Sequence, residues 1–177
     1  GQMGLFDGFK GGEKTAVMGI KDAIKEELDR NDWNYEISDE SEEDRQETYF
    51  YMRNELENDE AITVVIVVRE LYDQVDDADG FIKIKLYDIA YLEESDLRAE
   101  LLAKINAWNS EFRYVKFCLD RDEDVVLDID LPLDLHRGKF QPDSVMAMMA
   151  VGMHVVEKVF DDLMELCTRG HKPRPQE

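Results

Sequence analysis

The chain has 177 residues, of which 44% are hydrophobic and 36% charged, and its 42 acidic against 21 basic side chains give a formal charge of −21. That length and composition fit one domain burying its own core, and the charge would repel phosphate backbones and anionic lipid, which argues against a nucleic-acid partner. Two cysteines without CxxC spacing argue against a disulfide framework or zinc knuckle, and no apolar run is long enough to span a bilayer, so a soluble protein of a reducing cytoplasm is expected.

Gly1-Gln2 ahead of Met3 reads as a remnant of tag cleavage, and Gly4 to Gly12 as a disordered glycine-rich leader, so residues 1–13 are set apart from a single domain over 14–168. Val17, Ile20, Ile24 and Leu28 recur at helical spacing and predict a first amphipathic helix that Asn31-Asp32 ends, with Lys21, Lys25 and Glu26 facing water. A short strand over Trp33 to Ile37 follows, then an acidic exposed connection over Ser38 to Glu47. Thr48 to Arg53 alternates around aromatic residues and predicts a strand. Asn58-Asp59 breaks the chain before Ala61 to Arg69, a β-branched run that predicts a central strand covered on both faces. Asp73 to Gly80 turns it into the alternating strand Phe81 to Tyr87.

Ser95 is the expected N-cap of a helix over 95–109, with Leu97, Leu101, Ile105 and Trp108 as its buried stripe. Tyr114 to Leu119 and Val125 to Leu131 predict a hairpin across Asp120-Arg121-Asp122-Glu123, stopped by Pro132. The last helix runs from about Pro142 to Thr168, and residues 169–177 form a polar, proline-broken tail expected to be flexible. The order α-β-β-β-β-α-β-β-α predicts an α+β fold, an antiparallel sheet with helices packed on one side.

The run Leu101 to Asn109, with Asn106-Ala107-Trp108-Asn109 at its end, followed by Phe112 to Phe117 and by Val125 to Leu133, resembles the YbjN family of bacterial regulators. That family's fold is similar to the type III secretion chaperones, whose homodimers bind extended segments of client proteins. The resemblance implies a chaperone-like fold, a homodimer and a polypeptide partner, and it brings no residue-level binding motif with it.

Reactive chemistry is sparse. Asp120, Asp122 and Asp124 have the spacing of a calcium loop, but Val125 and Leu131 stand where that loop needs Gly and a bidentate Glu, so a solvated turn is expected. His136, His154 and His171 lack metal-ligand spacing, and no nucleophile elbow or phosphate loop occurs. Cys118 and Cys167 are expected to be buried, inert thiols, and neither an enzyme nor a cofactor is expected.

Val145 to Val156 holds a single strongly polar side chain, His154. Val145, Met149, Val156 and Val159 would face the sheet, and Met146, Met153 and Phe160 form a second apolar stripe that must meet another helix, a second subunit or a ligand. Met146, Met149, Met153 and Phe160 are therefore the candidate contact residues of a non-enzymatic, chaperone-like or regulatory module that docks a protein partner or its own copy. The alternative is a regulatory domain sensing a small ligand in a pocket under that helix, or a metal at the Asp120 to Asp124 turn.

Overall fold

The computed structural model describes residues 19–71, 80–132 and 141–175. The expected leader over 1–13, His136 and most of the turn after residue 72 lie outside those residues. Chain order is α1 (Ile20–Arg30), β1 (Glu36–Asp39), β2 (Arg45–Glu55), β3 (Ala61–Leu71), β4 (Phe81–Tyr91), a 3-10 turn (Ser95–Leu97), α2 (Arg98–Glu111), β5 (Lys116–Leu119), β6 (Asp124–Pro132), α3 (Pro142–Leu166) and β7 (Thr168–Arg169). The fold is α+β: an antiparallel sheet in the order β1-β2-β3-β4-β6-β5, with β7 pairing the end of β4.

Period-two alternation decides which side chains meet the helices. Ile62, Val64, Ile66 and Val68 of β3 point into the core, as do Ile82, Ile84 and Leu86 of β4 and Val125, Leu127 and Ile129 of β6. On those residues pack Ile24 and Leu28 of α1, Leu101, Ile105 and Trp108 of α2, and the buried stripe of α3. Gly152 lets α3 close on the sheet, because a Cβ there would stand 3.2 Å from Leu86 Cδ1 and 3.3 Å from Ile129 Cδ1.

Four expectations change. β3 is central, but among the described residues helices cover only one of its faces; its run of valines reads as two-sided burial because Val65 and Val67 sit on the other. Ser95 lies inside the 3-10 turn, not at a helix N-cap: Leu97 N–H closes onto Glu94 O at 3.0 Å, and α2 starts only at Arg98. The first strand is shifted to Glu36–Asp39, and the acidic connection shrinks to a hairpin turn. There Glu40 N–H reaches Glu47 O at 2.8 Å, and Ser41 N–H donates to Asp39 Oδ1 at 3.1 Å. β4 continues to Tyr91 through a bulge after Leu86, where Asp88 takes a left-handed φ of 58°.

The end of the chain is tied to the sheet. After α3 stops at Leu166, Thr168 and Arg169 pair with Tyr91 and Ala90, and Gly170, at φ 100°, turns the chain so that its N–H donates to Ile89 O. The Arg169 guanidinium donates to Glu60 Oε2 at 2.9 Å, to Ile89 O at 3.1 Å and to the carbonyls of Asp88 and Ala61. His171 Nδ1 stands 2.9 Å from Asp88 Oδ1, and Lys172 N–H donates to Asp124 Oδ1 at 2.7 Å. Residues 169–172 of the expected flexible tail thus lie against β4 and β6.

Candidate interaction surface

The methionine-rich helix spends most of its apolar surface inside this chain. Met149 is 1% exposed and Phe160 8%, both within the core, while Met146 and Met153 are partly buried and packed against it. Helix α1 lies against α3, and Met153 Sδ accepts a hydrogen bond from Asn54 Nδ2 at 3.5 Å. His154 faces solvent. The second stripe of α3 therefore has neighbours within the monomer, which is how a long helix in an α+β layer is normally accommodated.

The motif residues of α2 are architectural. Trp108 is buried with its ring 5.4 Å from that of Phe117. Asn109 stands beside the edge strand β5: its Nδ2 donates to Phe117 O at 3.0 Å, and its Oδ1 accepts from Phe117 N–H at 2.7 Å. One carboxamide thus satisfies both outward backbone groups of an edge residue and blunts that edge against pairing with another chain.

The sheet face opposite the helices differs. Tyr49 and Tyr51 of β2 stack with ring centroids 6.1 Å apart and planes within 14°. Val67 and Val65 of β3 are their register partners, followed on β4 by Lys83 and Lys85. Tyr51 is 36% exposed, whereas Val65, between Tyr51 and Lys85 in register, is only 4% exposed although it lies outside the core cluster. Half of this face, over β2 and β3, is thus an aromatic and aliphatic patch.

Several charges around the patch are paired across strands. Arg69 Nε donates to Glu47 Oε2 at 2.8 Å while its guanidinium lies 4.7 Å from the Phe81 ring centroid. The Tyr49 hydroxyl donates to Glu47, and that bond, with burial, pushes the phenol up to about 12. Burial works to raise the Glu47 carboxyl, but the hydrogen bonds from Tyr49 and Arg69 outweigh it and hold the group below the usual carboxylate range. Arg53 pairs with Asp88 at 3.1 Å and donates to Thr63 Oγ1 at 2.8 Å. Lys83 stands 3.6 Å from Asp130, and Asp128 lies between Lys85 and Lys116 in register.

Elsewhere, Asp120, Asp122 and Asp124 bring carboxylate oxygens within 4.8 Å of one another. Asp120 Oδ1 already accepts the N–H groups of Asp122 at 2.9 Å and Asp124 at 3.0 Å, the geometry of an Asx turn closing the β5–β6 hairpin. Burial, with the neighbouring carboxylates, raises the Asp124 pKa against the Lys172 N–H. Cys118 and Cys167 are free and half-buried, and burial pushes the Cys167 thiol up to about 11, away from nucleophilic use.

Among the described residues no helix is long and apolar enough to cross a membrane. The open face was not singled out from the sequence; alternation over Tyr49 to Arg53 and the valines of β3 were its signal, read there as ordinary strand pattern. No curated protein and no solved structure matches the chain. Over residues 88–165, from the bulge of β4 through α2, β5, β6 and nearly all of α3, the chain is similar to the YbjN family, described as a putative bacterial sensory transduction regulator.

Proposed function

We propose that this chain is a non-enzymatic regulatory module that works by docking a protein partner on the open face of its sheet. The observation carrying this reading is the asymmetry of one sheet: among the described residues three helices pack on one face, and on the other, where no described helix packs, Tyr51 is exposed beside the half-buried Tyr49 and Val67. Tyrosines held in place by neighbours lose little conformational freedom on binding, which makes them effective anchors. Met146 and Met153, half-buried on α3, could add to a contact only at the border of the helix layer, because Met149 and Phe160 lie beneath. The family's regulatory description fits binding better than turnover.

Photo-crosslinking in cells tests the reading. A benzophenone side chain placed at Tyr51 is expected to give discrete protein adducts, and the same group at Leu102, exposed on α2, is expected to give none. Equal labelling at both positions would remove the open face as the docking surface. A second reading, metal sensing at the β5–β6 turn, is favoured by the convergence of Asp120, Asp122 and Asp124. A melting temperature that rises steadily over millimolar calcium and falls back with chelator would establish it, since a ligand preferring the native state must stabilise it. No shift is the expected result, because the turn's N–H groups already engage Asp120.

A further inference from the structure

We propose that β7 is a removable occupant of a strand-addition site on β4, and that the site takes an extended, basic segment of a partner protein carrying an arginine. The site begins where β3 stops. Pairing between β3 and β4 ends at Thr63 and Tyr87, but β4 runs on to Tyr91. On one side Ala90 and Tyr91 keep Val125 and Asp124 of β6, and on the other their register partners are Arg169 and Thr168. Vacating the site therefore removes two register pairs from β4 and leaves its pairing with β6 in place. The occupant is held by polar bonds: residues 168–175 place no side chain in the core cluster. Arg169 donates to Glu60 and to the carbonyls of Ala61, Asp88 and Ile89, Gly170 N–H to Ile89 O, Thr168 Oγ1 to Glu93 and Lys172 N–H to Asp124. A segment tied down without apolar burial opens at a lower free energy than the sheet beneath it, because opening trades these bonds for bonds to water and exposes no core.

The same bonds define what fits. Pairing with Ala90 and Tyr91 requires an extended chain. Three carbonyls and the Glu60 carboxylate converge on one guanidinium, whose fixed fork of N–H donors can serve them together, whereas a lysine ammonium is a point charge with three donors. Beyond the arginine the path meets carboxylates, with Asp88 at His171 and Asp122 3.8 Å from Arg174, in a chain of formal charge −21, so positive charge there is drawn in. The tail Thr168-Arg169-Gly170-His171-Lys172-Pro173-Arg174 meets each requirement and keeps the site closed until a partner segment of the same chemistry displaces it. This site shares no residue with the tyrosine and valine patch on the sheet face and stands independently of it.

The experiment is fluorescence anisotropy of a labelled peptide of residues 168–174 titrated with the full chain, as the parent and as Gly170→Val. Gly170 sits at φ 100° and a Cβ there meets no atom within 4 Å, so the substitution strains the turn that lays the tail down and touches neither the core nor the slot. The variant is expected to bind the peptide. The parent should bind it about tenfold or more weakly, since a site open a tenth of the time or less loses that factor. The same peptide with Arg169→Lys, equal in charge, should bind the variant about tenfold more weakly than the arginine peptide. No binding to Gly170→Val up to about 1 mM overturns the proposal. Equal binding of the two peptides also overturns it, because that would be attraction of charge to an acidic chain. Hydrogen exchange tests the parent without any substitution. The amides of Gly170 and Lys172 should exchange about tenfold or more faster than those of Ile84 and Leu86 in the middle of β4. One common rate for all four, set by global unfolding, would make the tail a permanent part of the sheet and sink the removable occupant.

Discussion

The two sides of β3 are made from almost the same residues and behave differently. Inward, Ile62, Val64, Ile66 and Val68 lie in the core beneath the helix layer; outward, Val65 and Val67 stand between the tyrosines of β2 and the lysines of β4, with Thr63 and Arg69 to either side. The family match over 88–165 spans the machinery that seals the inner side: the bulge of β4, the Trp108 and Asn109 of α2, the β5–β6 hairpin and the long helix. Tyr49, Tyr51, Val65 and Val67 all precede it. The matched part of the chain thus builds the helix layer apart from α1, and the surface proposed to meet a partner lies in strands outside the match. A family motif made of buried residues reports architecture before it reports activity.

Substitutions on the two sides should separate cleanly. Trp108→Ala, which empties a buried site against Phe117, is expected to cost about 3–5 kcal/mol in urea denaturation. Tyr51→Ala, on the open side, should stay within about 1 kcal/mol while abolishing the association assigned to that face. If the two variants lose comparable stability, the open face is part of the core and the comparison fails. Asn109→Ala comes next: leaving the Phe117 N–H and C=O without the carboxamide should cost about 1–3 kcal/mol. It should also expose an edge strand, so its thermal unfolding should become more prone to aggregation at high protein concentration. A variant as stable and as reversible as the parent would show that water replaces the carboxamide.

Much of this was legible in the sequence, for identifiable reasons. The helices and long strands follow from hydrophobic period, so Ile24 and Leu28, Leu101 and Trp108, and the alternating Phe81 to Tyr87 predict elements at the observed places. Asp32 and Asp59 take left-handed backbone conformations where Asn31-Asp32 and Asn58-Asp59 were expected to break the chain. Layering was not legible. A valine on an open sheet face and a valine in a core are the same letter, so β3 read as two-sided, and the pattern of Met146, Met153 and Phe160 could not choose among another helix, a second subunit and a ligand, where α1 lies alongside α3. Long-range polar ties were equally invisible: nothing in the local pattern of residues 168–172 announces that Arg169 spans from Glu60 to the β4 bulge. The acidity of residues 38–47 concealed a strand start, because Glu47 owes its place in β2 to Arg69, 22 positions away.

Two carboxylates on neighbouring strands offer the finest test, because the two sides of the sheet perturb them in opposite directions. On the helix side, Glu70 Oε1 accepts the Ile20 N–H at 3.1 Å and holds the start of α1; burial raises its pKa despite that bond. A raised carboxyl binds its proton more tightly folded than unfolded, so its stabilising contribution is full below the unfolded value and is lost as pH rises through the folded one. Glu70→Gln keeps an acceptor for Ile20 and has no charge to bury. It should therefore match the parent under acid conditions and become the more stable protein towards neutral pH. On the open side, Glu47 is lowered, because Tyr49 and Arg69 outweigh the burial that opposes them, so its contribution is present above the unfolded pKa and is lost as pH falls through the folded one. Glu47→Gln should be the less stable protein at neutral pH and converge on the parent in acid. Denaturant midpoints of parent and variants across about pH 3 to 8, spanning the ordinary carboxylate range, should give difference curves of opposite sign. Curves of the same sign would mean that both groups are governed by burial alone, and that the open face does not supply the hydrogen bonds assigned to it.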